Sequence, residues 1–221
     1  MRKFFLPILI FLIITSCGKK KTVIAYGTES WPEEGIEFLT ELYVDHDSAF
    51  ISWTNKKTGR VLYLGKAASM QDLKDSTFTR NYFYDSGKLH TIEPFRNKKM
   101  DGEVLSFYKS GKKKSRVTFS DGIKGNYETW YESGKLMIKG ELLPDSTFSH
   151  REYYENGVLQ KEMITDKTGK GSFSSYSGNG KIYESGALLN FERSGIWKIF
   201  DSLGNPRRDT LFGIEKIEKR K

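Results

Sequence analysis

Residues 126–136 read NYETWYESGKL: an aromatic pair, two small or acidic residues, a glycine and a lysine. The same order returns as FYDSGKL at 83–89, FYKSGKK at 107–113 and YYENGVL at 153–159. With the glycine as anchor, the series is Gly87, Gly111, Gly134, Gly157, Gly180 and Gly204, at intervals of 24, 23, 23, 23 and 24 residues. Four residues before each anchor stands an aromatic: Phe83, Phe107, Trp130, Tyr153, Tyr176 and Phe200. Aromatics make up 14% of the chain, so a match at all six positions is not chance. Seven before the anchor come Val104, Tyr127, Phe173 and Trp197, with Arg80 and His150 departing; two after it come Leu89, Leu136, Leu159 and Ile182. Residues 72–89 also align with 142–159 at an offset of 70, about three periods. Such self-similarity marks a tandem array. Thr58-Gly59, with Trp53 upstream, reads as a degraded seventh copy.

Each period contains two runs rich in β-formers, such as NYETWY (126–131) and KLMIKGEL (135–142). Between them, in five of the six copies, an Asn or Ser precedes the glycine, which reaches positive φ without a Cβ clash. That is a hairpin signal. The expected fold is therefore all-β: tandem hairpins of about 23 residues forming one elongated, twisted antiparallel sheet. The aromatics four before the anchors are expected to stack on their counterparts in the next hairpin.

The chain starts MRKFFLPILIFLIITSC, with a basic pair, eleven apolar residues (Phe4 to Ile14) and then the only cysteine, Cys17. The run is too short to span a bilayer and fits a secretory signal. Cysteine straight after small residues resembles a bacterial lipobox, so Cys17 is the expected acylation site. Ordinary signal cleavage, leaving a stray thiol, is the alternative. The expected organisation is a signal at 1–16, a lipidated tether at 17–30, a β-rich capping segment at 31–77, the repeat array at 78–212 and a charged tail at 213–221. Within the segment, GIEFLTELYV (35–44) alternates as a strand does, although Ser30 before Pro32 could cap a short helix. The expected address is the bacterial envelope, at the outer membrane facing the periplasm.

The stretches 125–135 and 102–112, with GIWKIF at 195–200, resemble MORN-type repeats. More closely, they resemble the variant form found in a bacterial family of MORN-repeat antitoxins. The resemblance implies successive hairpins, and a role in protein association or in membrane or lipid contact. Immunity against an exported toxin would reconcile the antitoxin label with export.

Little in the sequence points to catalysis. His46, His90 and His150 lack metal-ligand spacing. Asp45-His46-Asp47 could orient a general base, but reads better as an exposed turn. The expectation is a protein that is not an enzyme and needs no cofactor or metal. Nucleic acid is a poor partner for an exported chain despite the net charge of +8. Two rows remain as candidate surfaces. Tyr84, Tyr108, Tyr131 and Tyr154 each follow a column aromatic and point to the other face. Partly exposed tyrosine suits recognition of an envelope protein; the alternative is that these rings only cover the sheet. Lys88, Lys112, Lys135 and Lys181 follow four anchors. They could meet an anionic lipid or glycan, or serve as solubilising tips.

Overall fold

The computed structural model describes residues 21–31 and 36–213. It is all-β, and its strands pair antiparallel, as the hairpin reading expects. Residue contacts divide the chain into two compact units: one holds the described residues up to 113 together with 118–124, the other 114–117 together with 125–213. Cys17, and all but the first residue of the expected tail at 213–221, lie outside the described residues.

In the first unit, β1 (Lys21–Trp31), β2 (Ile36–Asp45), β3 (Ser48–Asn55) and β4 (Val61–Ala67) form a meander. It continues through β5 (Phe78–Phe83), β6 (Leu89–Arg96), β7 (Lys99–Met100) and β8 (Gly102–Phe107). Residues 21–30 are thus strand rather than tether: Lys21 pairs with Glu41 at 3.0 Å, and its ammonium lies 4.1 Å from the centre of the Tyr43 ring. The core of this unit is built on Phe38, Ala49, Leu62, Tyr63 and Ala67. Trp53 stacks on Tyr63 at 4.3 Å, and Tyr63 meets Tyr82 at 5.3 Å. The Asn55–Gly59 loop is also a glycine turn, one residue longer than the anchor turns: Asn55 N–H donates to Arg60 O, and Gly59 N–H to Asn55 O.

The short helix α1 (Met70–Lys74) is new relative to the sequence reading. Ser69 Oγ caps it by accepting the Asp72 N–H at 3.1 Å, a standard way to satisfy an orphan donor. After it, Ser76 takes φ 57, and Ser146 in the aligned stretch takes φ 65. The two Asp-Ser-Thr sequences, 70 residues apart, make the same left-handed step. One follows a helix and the other closes a hairpin.

Two strands, β9 (Lys113–Ser120) and β10 (Ile123–Trp130), carry residues of both units. The second unit continues as β11 (Leu136–Leu142), β12 (Phe148–Tyr153), β13 (Leu159–Thr165) and β14 (Gly171–Tyr176). It ends with β15 (Ile182–Leu189), β16 (Glu192–Phe200) and β17 (Pro206–Phe212). Its anchor turns are uniform. Tyr131 N–H donates to Lys135 O and Gly134 N–H to Tyr131 O, and the same pair of bonds recurs at Tyr154/Gly157, Ser177/Gly180 and Asp201/Gly204. This is a four-residue turn ending in a left-handed glycine, with φ of 82–92° at these anchors. The opposite turns vary: Asn190 and Phe191 both sit at positive φ, whereas Asp166 to Lys170 repeats the glycine form.

Candidate functional site

Residues directly opposite in register point to the same face. Following the registers of the second unit gives one continuous row: Tyr127, Gly140, His150, Met163, Phe173 and Gly186, with Trp197 next to it opposite Thr210. These are the positions seven before the anchors and their partners. This row carries the ring packing: Phe173 meets Trp197 at 5.5 Å, Trp197 meets Phe212 at 5.8 Å, and Tyr127 meets His150 at 6.1 Å. Two of its glycines seat rings. A Cβ on Gly140 would lie 2.3 Å from the Tyr127 ring, and one on Gly186 would lie 2.4 Å from Trp197. The stacked column expected four before the anchors does not form in this part: no ring pair joins Tyr153, Tyr176 and Phe200 among the described residues. Those rings instead face apolar residues across their own hairpins, as in Tyr153 opposite Leu159 and Tyr176 opposite Ile182. The reason is spacing. Counterparts in successive hairpins are two strands, about 10 Å, apart, so a ring from the intervening strand is needed to make contact.

The same face carries a polar chain. The Tyr127 hydroxyl and His150 Nδ1 share a 2.6 Å hydrogen bond, His150 Nε2 lies 3.1 Å from Glu152 Oε1, and Lys161 Nζ donates to Glu152 Oε2 at 3.0 Å. Burial raises the Tyr127 hydroxyl pKa, and the nearby Glu152 charge adds to this. For Glu152, burial is the largest single influence and pushes upward, but the bonds from His150 and Lys161 together hold it below the usual carboxylate value. His150, which departs from its repeat position in the sequence, is half-buried on this strand.

The opposite face carries charges of both signs. Glu128, Lys139, Arg151 and Glu162 are register partners across four strands. Arg116 donates to Glu128 at 2.8 Å, while Arg151 bridges Glu141 at 3.0 Å and Glu162 at 2.7 Å. The row then becomes Ser174, Ser185, Lys198 and Asp209.

The tyrosine row is an edge device. Tyr131 Oη donates to the Tyr153 carbonyl at 2.7 Å, Tyr154 Oη to Tyr176 O at 3.0 Å and, in the first unit, Tyr84 Oη to Phe107 O at 2.7 Å. In each case the acceptor is the column aromatic of the next repeat. Tyr84, Tyr108, Tyr131 and Tyr154 are all half-buried, so their rings keep some exposed surface. Two of the tip lysines do similar work: Lys88 Nζ donates to Ser110 O at 3.4 Å and Lys181 Nζ to Leu203 O at 2.7 Å. Asn156 and Asn179 tie their tips to Gly178 O and Ser202 O. Lys112 and Lys135 stand exposed at their own tips. No sequence signal marked these ties, although their donors sit at constant offsets from the anchors.

His46 lies exposed in the β2–β3 turn at φ 55, 2.9 Å from Asp45 Oδ1, and His90 packs edge-on against Tyr84 at 4.5 Å. Among the described residues, no group of three or more His, Cys, Asp or Glu could hold a metal ion, and no helix is long and apolar enough to cross a membrane.

Comparison with known families places the description MORN repeat variant on residues 100–121, 124–142 and 149–166. Over these residues the chain carries MORN-type repeats, which point to an interaction or membrane-binding module. No curated protein matches the chain.

Proposed function

We propose that this chain is a lipid-anchored protein of the bacterial envelope whose hairpin array is a non-enzymatic scaffold for another envelope protein. Acylated Cys17 would be its membrane tether, and immunity against an exported toxin is one form the role takes. One observation carries the reading: the repeat-to-repeat ties are gathered at the turn edge, in Tyr84, Tyr131, Tyr154, Lys88 and Lys181. With register fixed there, the charged row on one face can vary in pairs across adjacent strands without loss of the fold, as an adaptable recognition surface requires. The half-buried rings of Tyr108, Tyr131 and Tyr154, each at the turn of its own hairpin, supply apolar contact area.

The test is affinity capture by the full chain from detergent-solubilised envelopes. Tyr131→Phe removes a tie and keeps the ring; Tyr131→Ala removes both. A stoichiometric partner retained by the first and lost by the second supports the reading, and absence of any stoichiometric partner overturns it. A second reading rests on the hairpin end at 109–114, where Lys109, Lys112, Lys113 and Lys114 are all exposed. Contact with anionic lipid or glycan through such tips would appear as salt-sensitive vesicle binding that is lost on Lys112→Glu with Lys135→Glu.

A further inference from the structure

The last strand of the second unit is finished unevenly. A repeat array normally ends in a polar, blunted strand. The first half of β17 obeys this, with Pro206, Arg207, Arg208 and a register shift opposite Ile199 and Phe200. Its second half, Asp209-Thr210-Leu211-Phe212, has no proline and no irregularity. Here Leu211 is 58% exposed and stands directly opposite Ile196, 62% exposed, on one face. Leu189, 50% exposed, lies on the same face of β15. Among the described residues, β17 has a strand register only with β16.

We propose that the outer edge of β17 pairs with β17 of a second copy, antiparallel about a twofold axis through Thr210. The occupant follows from self-complementarity. Centring on Thr210 sets threonine against threonine, a favourable cross-strand pair. It sets Asp209 opposite the second copy's Leu211, and Arg208 opposite its Phe212, an arrangement that suits guanidinium over a ring. Asp209 has Lys198, an opposite charge, as its register partner on β16 of its own chain. The two Leu211 side chains become diagonal neighbours on one face. The Ile196–Leu211 pair then extends into a four-residue apolar row crossing the joint. A centre at Asp209 would instead set two carboxylates against each other and is disfavoured. The paired stretch is 208–212, the second half of the strand with Arg208 added. This pairing is independent of which envelope partner or lipid the array contacts.

The test uses the full chain with Cys17→Ser, which leaves an introduced cysteine as the only thiol. Directly opposed Thr210 positions would lie about 4.5–5.5 Å apart between Cα atoms, within disulfide reach. Two Arg207 positions would be roughly 20 Å apart at about 3.4 Å per residue. Thr210→Cys is expected to form a disulfide dimer at least tenfold faster than Arg207→Cys. Leu211→Lys should weaken the dimer tenfold or more by sedimentation equilibrium in detergent. Equal cross-linking at the two positions, or a monomer at 100 μM with no Thr210→Cys dimer, overturns the proposal. A monomer whose edge is covered by its own residues 214–221 gives that second result.

Discussion

Gly186→Ala is the sharpest single test of how the second unit is packed. Its Cβ would sit 2.4 Å from Cγ, Cδ1 and Cδ2 of Trp197. That ring has nowhere to go. It is 1% exposed, its Nε1 donates to Ala187 O at 3.0 Å, and the Arg193 guanidinium lies 4.2 Å from its centre. Phe173 and Phe212 close the remaining sides. Overpacking a filled core costs about 1–3 kcal/mol, while replacing glycine by alanine returns roughly 0.4–1 kcal/mol through the unfolded chain. The net expectation is destabilisation by about 1–2 kcal/mol, or a midpoint lowered by about 2–8 °C for a chain of this size. Repeat arrays can unfold locally, so amide exchange should be read on β15, β16 and β17, where protection should fall first. Gly178→Ala is the control, because Gly178 has an unstrained φ and nothing within 4 Å of a built Cβ; it should leave stability unchanged or raise it slightly. Trp197→Leu should make Gly186→Ala nearly neutral, giving a coupling of opposite sign to the single loss. If Gly186→Ala unfolds like the parent and exchange in β15–β17 is unmoved, the glycine is not a seat for the ring and the row is misread.

The edge ties predict that Tyr131→Phe and Tyr154→Phe each cost about 0.5–1.5 kcal/mol, with faster amide exchange confined to the turn of the following repeat. Removing the bridging charge by Arg151→Met should cost about 1 kcal/mol or less, given its part-exposed partners, and the loss should shrink in 1 M salt in chemical denaturation. In the turns, bonds from the Thr168 side chain and the Lys170 and Thr168 N–H groups hold the Asp166 carboxyl below its usual value, and the Asn205 backbone N–H is the main influence doing the same for Asp201. Depressed folded values mean the contribution is present above the unfolded pKa of about 4 and is lost as pH falls through the folded value. Carboxyl carbon NMR should therefore show both residues titrating late, with turn amides loosening only in acid. Tyr63 is the opposite case: burial, the largest influence, pushes its hydroxyl up to about 12. Its raised value gives a stabilising contribution that is complete below the usual tyrosine pKa and lost as pH rises through 12. Absorbance at 295 nm should show a late ionisation step near pH 12 that Tyr63→Phe removes.

Much of the fold was legible because hairpin turns are local chemistry. A glycine every 23 or 24 residues requires left-handed backbone, and the turn bonds around Gly134, Gly157, Gly180 and Gly204 follow from that alone. The helix at 70–74 was missed because five residues carry no period, and its one signal, Ser69 capping Asp72, hid among ordinary loop residues. The aromatic row was misplaced by one position class. Constancy in sequence drew attention to the rings four before each anchor, which face Leu159 or Ile182 within their own hairpins. The row that packs is the less regular one, because a mixed row of Tyr127, His150, Phe173 and Trp197 works only when Gly140 and Gly186 make room beside it. Compensation between neighbouring strands is a register property, and register cannot be read from one strand.

That compensation bears on how such an array acquires a function. At the turn edge the acceptor is a backbone carbonyl, so each tie depends only on its donor, and the donor can be held constant while everything between the turns changes. On the faces the opposite holds: Trp197 needs Gly186, and Arg151 needs Glu141 and Glu162. Change there must come in pairs across adjacent strands. The charged face shows such a change already, running Glu128, Lys139, Arg151, Glu162 and then abruptly Ser174 and Ser185. A partner that reads charge would therefore bind over β10–β13 and ignore β14–β15. Charge reversal at Arg151 together with Glu162 keeps their mutual ion pair, though Glu141 then faces like charge, while inverting what a partner sees. Capture lost in that double variant, with the midpoint lowered by no more than Arg151→Met alone lowers it, places recognition on this face. Capture retained there, but lost on Tyr131→Ala, moves it to the rings at the edge.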